Sequence, residues 1–257
     1  MNLFTSDQKD INRLKAAFNM LLLSVILVVL FWFSLSRIGI KFDFSFLPAL
    51  RGRLAGGFLM TIYLSVASLV LSLILGIVSA VLHSSRVLVL RYLSKLYVTF
   101  IRGTPLIMQI YLFFYIVAVA FEIENRFICG VLILSIFEGA YISEIIRGSL
   151  LSMDSTQLEA AKAVGFTRKQ TITLVILPQL VERTLPALTG QFASIIKDSS
   201  LLSIIAVIEL SQTMREISAV NFKLFECYLF LGVLYLILTL PITFASKRLE
   251  WRFHYEN

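Results

Sequence analysis

The chain has 257 residues, 58% of them hydrophobic and 15% charged, with a net charge of +7. A soluble domain is usually close to one-quarter charged, so this composition points to an integral membrane protein rather than a soluble enzyme. The positive charge does not indicate nucleic acid, because the basic residues fall in short clusters between apolar runs and form neither a basic face nor a stacking platform.

Six stretches approach or exceed the roughly 18 to 20 apolar residues that a helix needs to cross a bilayer. In chain order they cover about residues 18–36, 58–82, 105–121, 127–146, 185–210 and 227–245. Helices are expected throughout, because the runs are continuous and lack the alternation of a barrel strand. The first run, "MLLLSVILVVLFWFSL" at its core, follows Lys9, Arg13 and Lys15. A signal peptide would look similar, but the core is long and no A-x-A cleavage site follows, which favours an uncleaved anchor. The fifth run is the weakest because it contains Lys197 and Asp198. Cys129 and Cys227 have no metal-ligand spacing and read as packing residues, with a disulfide open if both lie near the outer leaflet.

Lysine and arginine placement sets the orientation. Arg86, Arg91, Lys95 and Arg102 lie between the second and third runs, while Arg147, Lys162, Arg168, Lys169 and Arg183 lie between the fourth and fifth. Lys247, Arg248 and Arg252 follow the last. All three groups share the cytoplasmic face if the N terminus is cytoplasmic. Arg37, Lys41, Arg51 and Arg53 dissent, since that topology puts them outside.

Between the fourth and fifth runs stands a polar cassette, "STQLEAAKAVGFTRKQTITLVILP". Thr156 with Glu159, and Thr167 with Gln170, have the spacing of capping boxes that start helices. Gly165 between them supplies a left-handed helix end. The expectation is two short helices meeting at a glycine elbow, the second running toward Pro178. Ala160, Ala161 and Ala163 keep the first helix thin enough for another protein to approach closely.

These residues resemble the EAA cytoplasmic loop of bacterial ABC-transporter permeases. More narrowly, "FIRGTPLIMQIYLFFY", "EGAYISEIIRGSL", "IIKDSSLLSIIAVIEL" and the closing "KRLEWR" resemble the polar amino acid permeases of histidine, glutamine and arginine importers. The motifs keep the family's order across about residues 55–252. The resemblance implies an all-α membrane protein with a type I five-helix core at about 54–257, plus one extra transmembrane helix within about 1–53. It also implies a second permease subunit, identical or not, a cytoplasmic ATPase dimer and an extracytoplasmic amino-acid-binding protein, all at a bacterial inner membrane with both termini cytoplasmic. Carried over by position, Glu159, Ala160, Ala161 and Gly165 form the coupling element of a loop at about 154–178, flanked by Arg168 and Lys169. No GxxxxGK[ST] phosphate loop is present, so ATP and magnesium belong to the partner ATPase and no cofactor is expected in this chain.

Ionisable groups at membrane depth are costly and face bundle interiors or aqueous paths. Glu138 replaces a residue that is commonly small in the family, which suggests either a negative charge for a cationic amino acid or a structural carboxyl. Lys197 and Asp198, about 100° apart on a helix, need not pair with each other and fit a break near the cytoplasmic end of the fifth run, with a place on the substrate path as the alternative. Gln109 and Tyr141 either line the path or make interhelical hydrogen bonds. Glu144 and Arg147, three apart, read as a helix-surface ion pair. The rivals are a self-contained transporter or channel, which usually shows inverted repeats, and a membrane enzyme, which needs a catalytic cluster that the separated His83 and His254 do not supply.

Overall fold

The computed structural model of the chain describes residues 13–39 and 42–255, so Lys9 and Lys41 lie outside the described residues. Every regular element among the described residues is helical. The chain divides into two compact units, Met1–Ser45 and Phe46–Asn257. The first contains α1 (Arg13–Ile38), whose stretch Leu14–Arg37 is long and apolar enough to cross a membrane.

In the second unit, a single 3₁₀ turn (Pro48–Leu50) leads into α2 (Arg51–His83). Then come α3 (Leu88–Gly103), α4 (Leu106–Leu112, extended by a widened turn over Phe113–Ala118) and α5 (Arg126–Leu151). The cassette holds α6 (Ser155–Ala163) and α7 (Arg168–Gln170), and α8 (Leu177–Asp198), α9 (Leu210–Asn221) and α10 (Leu224–Tyr255) complete the unit.

The seam between α2 and α5 organises the bundle. Lipid tails are as apolar as leucine, so helices in a bilayer associate through small residues that permit close packing. Here Thr61, Ser65, Ser68, Ser72, Gly76 and Ser79 follow one another down a buried face of α2. Opposite them, Ser135 donates to the Ser68 carbonyl at 3.3 Å and Ser143 donates to the Ser79 hydroxyl at 3.1 Å. A Cβ on Gly76 would lie 2.5 Å from Ile142 and 3.1 Å from the Gly139 carbonyl, so the approach requires glycine.

Two of the six expected spans differ from their sequence pattern. The third is the outer arm of a bent pair: α3 and the segment from Leu106 to Ala118 meet at 113° across Thr104 and Pro105. Pro105 has no N–H and keeps the preceding residue out of the helical region, which breaks the run there. The inner arm, α3, was hidden between charges. The fifth span starts at Leu177 and stops at Asp198, and it is too polar along one side to pass as a span on apolarity. Its 22 residues still measure about 33 Å at the usual helical rise. The Lys197–Asp198 break therefore lies at the end of α8 remote from the cassette, whereas the sequence pattern places it at the same, cytoplasmic, end as the cassette.

Basic clusters collect at one end of the bundle. The Ser79–Ser143 contact sets the C-terminal ends of α2 and α5 side by side, and Ser246 of α10 donates to the Pro186 carbonyl of α8 at 2.9 Å. The turn after α2, the cassette, and Lys247 and Arg248 thus share an end. Of the dissenting cations, Arg53 forms an ion pair with Glu216 of α9 at the other end. Cys129 and Cys227 are both buried free thiols in separate packing environments, so no disulfide forms.

Candidate functional site

Asp154, in extended conformation, accepts the Thr156 N–H at 2.9 Å and starts α6. This corrects the expected cap at Thr156: the Asp-Ser-Thr run offers three capping side chains, and the first in line takes the role. At the far end, Gly165 adopts φ +77°, its N–H reaches the Lys162 carbonyl at 3.0 Å, and the Phe166 N–H reaches Ala161 at 3.0 Å. That paired closure is the Schellman motif, which leaves the elbow rigid. The second capping box forms as spaced: Thr167 N donates to Gln170 Oε1 at 2.8 Å and Gln170 N to Thr167 Oγ1 at 3.3 Å.

Pro178 does not end the second helix. The run from Arg168 to Asp198 is continuously helical, with a widened i→i+5 turn over Thr171–Ile176 that absorbs the donor a proline lacks. Of the expected coupling residues, Glu159, Ala160, Gly165, Arg168 and Lys169 are exposed. Ala161 is 4% exposed and turned inward, where its small side chain lets α6 lie against the widened turn. Exposed Val164 and Phe166, which the capping pattern did not single out, flank Gly165 and make the knob partly apolar. Both roots of the cassette are tied down. Gln179 of α8 bonds Gln157 of α6, and Arg183 of α8 donates to the Ser152 carbonyl at 2.7 Å and its hydroxyl at 3.0 Å, just after α5.

The second polar locus lies between α5 and α8. Glu138 is fully buried, and one carboxyl oxygen accepts a hydrogen bond from Gln191. Its other oxygen has no hydrogen-bond partner among the described residues, and Asp198 at the end of α8 is near enough to influence the Glu138 carboxyl. Asp198 turns inward while Lys197 is exposed, in keeping with their angular separation. The other two expected path residues are elsewhere. Gln109, 1% exposed, donates to the Ile101 carbonyl at 2.8 Å and the Thr104 hydroxyl at 2.8 Å, so it fastens the bend between α3 and α4. Tyr141 packs on Phe137 and lies under the Arg102 guanidinium at 5.4 Å. Arg102 also reaches Glu144 at 3.0 Å, joining the Glu144–Arg147 pair, which forms as spaced at 2.6 Å.

A polar cleft of about 430 Å³ opens where α8 breaks, lined by Ser200, Ser203, Ser211, Arg215, Tyr228 and Tyr235. Beside it, Glu209 caps α9 by accepting the Ser211 and Gln212 N–H groups at 2.7 Å each, and the Tyr235 hydroxyl donates to it at 3.0 Å. No spacing in the sequence announces this cleft; its only trace is the serine-rich "KDSSLLS".

A bundle of membrane-spanning helices around a tight small-residue seam, with a capped polar elbow rooted in two of them, is the architecture of a membrane permease domain. The chain belongs to the family described as binding-protein-dependent transport system inner membrane component, which matches residues 72–255. It is 35% identical over 214 residues to the glutamine transport system permease protein GlnP of Escherichia coli, covering 82% of this chain and 98% of that one. It is 37% identical over 201 residues to the L-cystine transport system permease protein TcyB of Bacillus subtilis, covering 77% and 86%. The structure superposes with a TM-score of 0.77 on a chain of an amino acid ABC transporter crystallised with histidines, at 29% identity over 83% of this chain and all of that one. The inward-facing MetNI methionine ABC transporter shares the fold at a TM-score of 0.69 and 19% identity. The chain is thus a permease subunit of the ABC class and not itself an enzyme.

Proposed function

We infer that this chain forms one half of the membrane pathway of an ATP-driven amino acid importer, and that the cassette 154–178 transmits force from a separate ATPase. The observation that carries the coupling role is a pair of contacts: Gln157–Gln179 fastens the elbow to α8 and Ser152–Arg183 fastens the end of α5 to α8, the two helices that carry Glu138 and Asp198. A push on exposed Ala160, Val164 or Phe166 therefore moves both walls of the buried polar locus. The one-sided collection of basic residues supports a cytoplasmic elbow. The relatives named for glutamine and L-cystine transport support an amino acid as cargo. Nucleotide and magnesium reside on the partner ATPase, an extracytoplasmic binding protein delivers cargo, and a second permease subunit completes the path in a bacterial inner membrane. Alternating access requires outward and inward states within a few kcal/mol of each other, so that cargo and nucleotide can shift the balance.

Within that path, Glu138 selects for cationic amino acids. An unpaired buried carboxyl oxygen facing a second carboxyl suits an ammonium or guanidinium group, which would supply the missing donor. The test is uptake by the reconstituted complex against a panel of labelled amino acids. Glu138→Gln should weaken competition by arginine, lysine and histidine about a hundredfold or more while leaving glutamine little changed, since removing one partner of a buried charge pair costs about 3 to 5 kcal/mol. Equal competition before and after the substitution would refute the assignment.

A further inference from the structure

We propose that the cytoplasmic end of this permease holds an anionic glycerophospholipid in a groove between α2, α5 and α8, with its headgroup on Arg86 and Arg168. The groove has a volume of about 950 Å³, at the upper end of the roughly 300 to 1,000 Å³ typical of ligand sites. Its walls are aliphatic, from Ile77 and Val81 on α2, Leu150 on α5, and Leu177, Val181 and Leu185 on α8. Val81 is 65% exposed and Val181 52% exposed, so this is apolar surface open to a partner rather than a closed core.

One mouth has the opposite chemistry. Ser84, Ser85, Arg86 and Arg168 line it, and neither arginine has an ion-pair partner among the described residues. The turn carrying Arg86 is held in place: Arg91 donates to the Ser85 carbonyl at 2.7 Å and 3.0 Å, and the Ser85 hydroxyl accepts the Val87 N–H at 3.1 Å. An aliphatic trough ending in two exposed cations matches acyl chains ending in a phosphodiester, and basic pockets between spans on the cytoplasmic side take such headgroups. A second permease copy would cover the trough but would have to bring its own anion to Arg86 and Arg168. The assignment rests on the cytoplasmic orientation given above. Its consequence is that lipid touches α2, α5 and the elbow residue Arg168 together, so membrane composition bears on the coupling element.

The test places a single tryptophan in the groove. In the full-length chain, Trp32→Phe and Trp251→Phe remove the native fluorophores and Val181→Trp, at an exposed position, reports on the trough. The protein is reconstituted in phosphatidylcholine vesicles containing a small fraction of brominated phosphatidylglycerol or, separately, brominated phosphatidylcholine. The expected result is preferential quenching by the brominated anionic lipid of about fivefold per arginine, the contribution of a basic residue near an anionic surface. Arg86→Gln should reduce the preference by one such factor, and Arg86→Gln combined with Arg168→Gln should abolish it. Equal quenching by both lipids overturns the proposal, as does the absence of quenching by either, which means protein fills the trough. Displacement of the lipid by soluble glycerol phosphate also overturns it, since the site would then be one for free anions. Capture of the ATPase is scored in parallel: its loss from the unmodified chain would undermine the coupling role without touching the quenching result.

Discussion

Gly165 and Gly76 show two different reasons for glycine in one chain. At Gly165 nothing lies within 4 Å of where a Cβ would stand, and only φ +77° demands the residue. Gly165→Ala should therefore cost about 1 to 2 kcal/mol locally, the penalty of a left-handed L-residue. It should loosen the elbow and lower transport-coupled ATPase activity while leaving the melting temperature of the bundle nearly unchanged. At Gly76 the backbone is ordinary and the constraint is space, with fully buried Ile142 at 2.5 Å. Gly76→Ala should cost about 1 to 3 kcal/mol by overpacking, visible as a lower melting temperature of the solubilised protein. The special backbone at Gly165 was legible because its neighbours spell a helix end. The crowding at Gly76 was not, because Ile142 stands far along the chain. Distance in sequence also hid the grouping of Glu138, Gln191 and Asp198, although Glu138 and Asp198 individually stood out as charges among apolar residues.

Among elements, the long apolar helices α1, α2, α5 and α10 were readable from length and hydropathy alone. Those two signals failed where an element is amphipathic or bent. In α3, the basic residues Arg91, Lys95 and Arg102 interrupt the apolar pattern, so it read as a connecting stretch with charges. The second cassette helix read as running toward Pro178, and nothing local shows that a widened turn would carry it past that residue. The caps of the cassette make separate predictions. Thr167→Ala removes the acceptor for the Gln170 N–H and should destabilise the start of the second helix by about 1 kcal/mol, seen as faster amide exchange over residues 168–173. Asp154 acts through charge: its hydrogen bonds to Thr156 hold the carboxyl below its usual range. A carboxyl so lowered stabilises above the ordinary aspartate range and loses the effect as pH falls through the lowered value. Protection factors in α6, corrected for the intrinsic pH dependence of amide exchange, should thus be constant from neutral to mildly acidic conditions, and Asp154→Ala should lower them throughout that window.

For the whole molecule, division of labour follows from what the chain contains. It offers a helical bundle with buried carboxyls, a basic end and a capped elbow, and in the proposed reading the energy source arrives through contact at that elbow. The most direct measurement is the accessibility of one elbow residue. Ala160→Cys, exposed on α6, in a background where the buried thiols are removed by Cys129→Ala and Cys227→Ala, is labelled with a membrane-impermeant maleimide. The account predicts no labelling from outside intact cells, rapid labelling in inside-out vesicles stripped of ATPase, and protection of tenfold or more when the ATPase is restored. Labelling from outside, or labelling that the ATPase leaves unchanged, would contradict it.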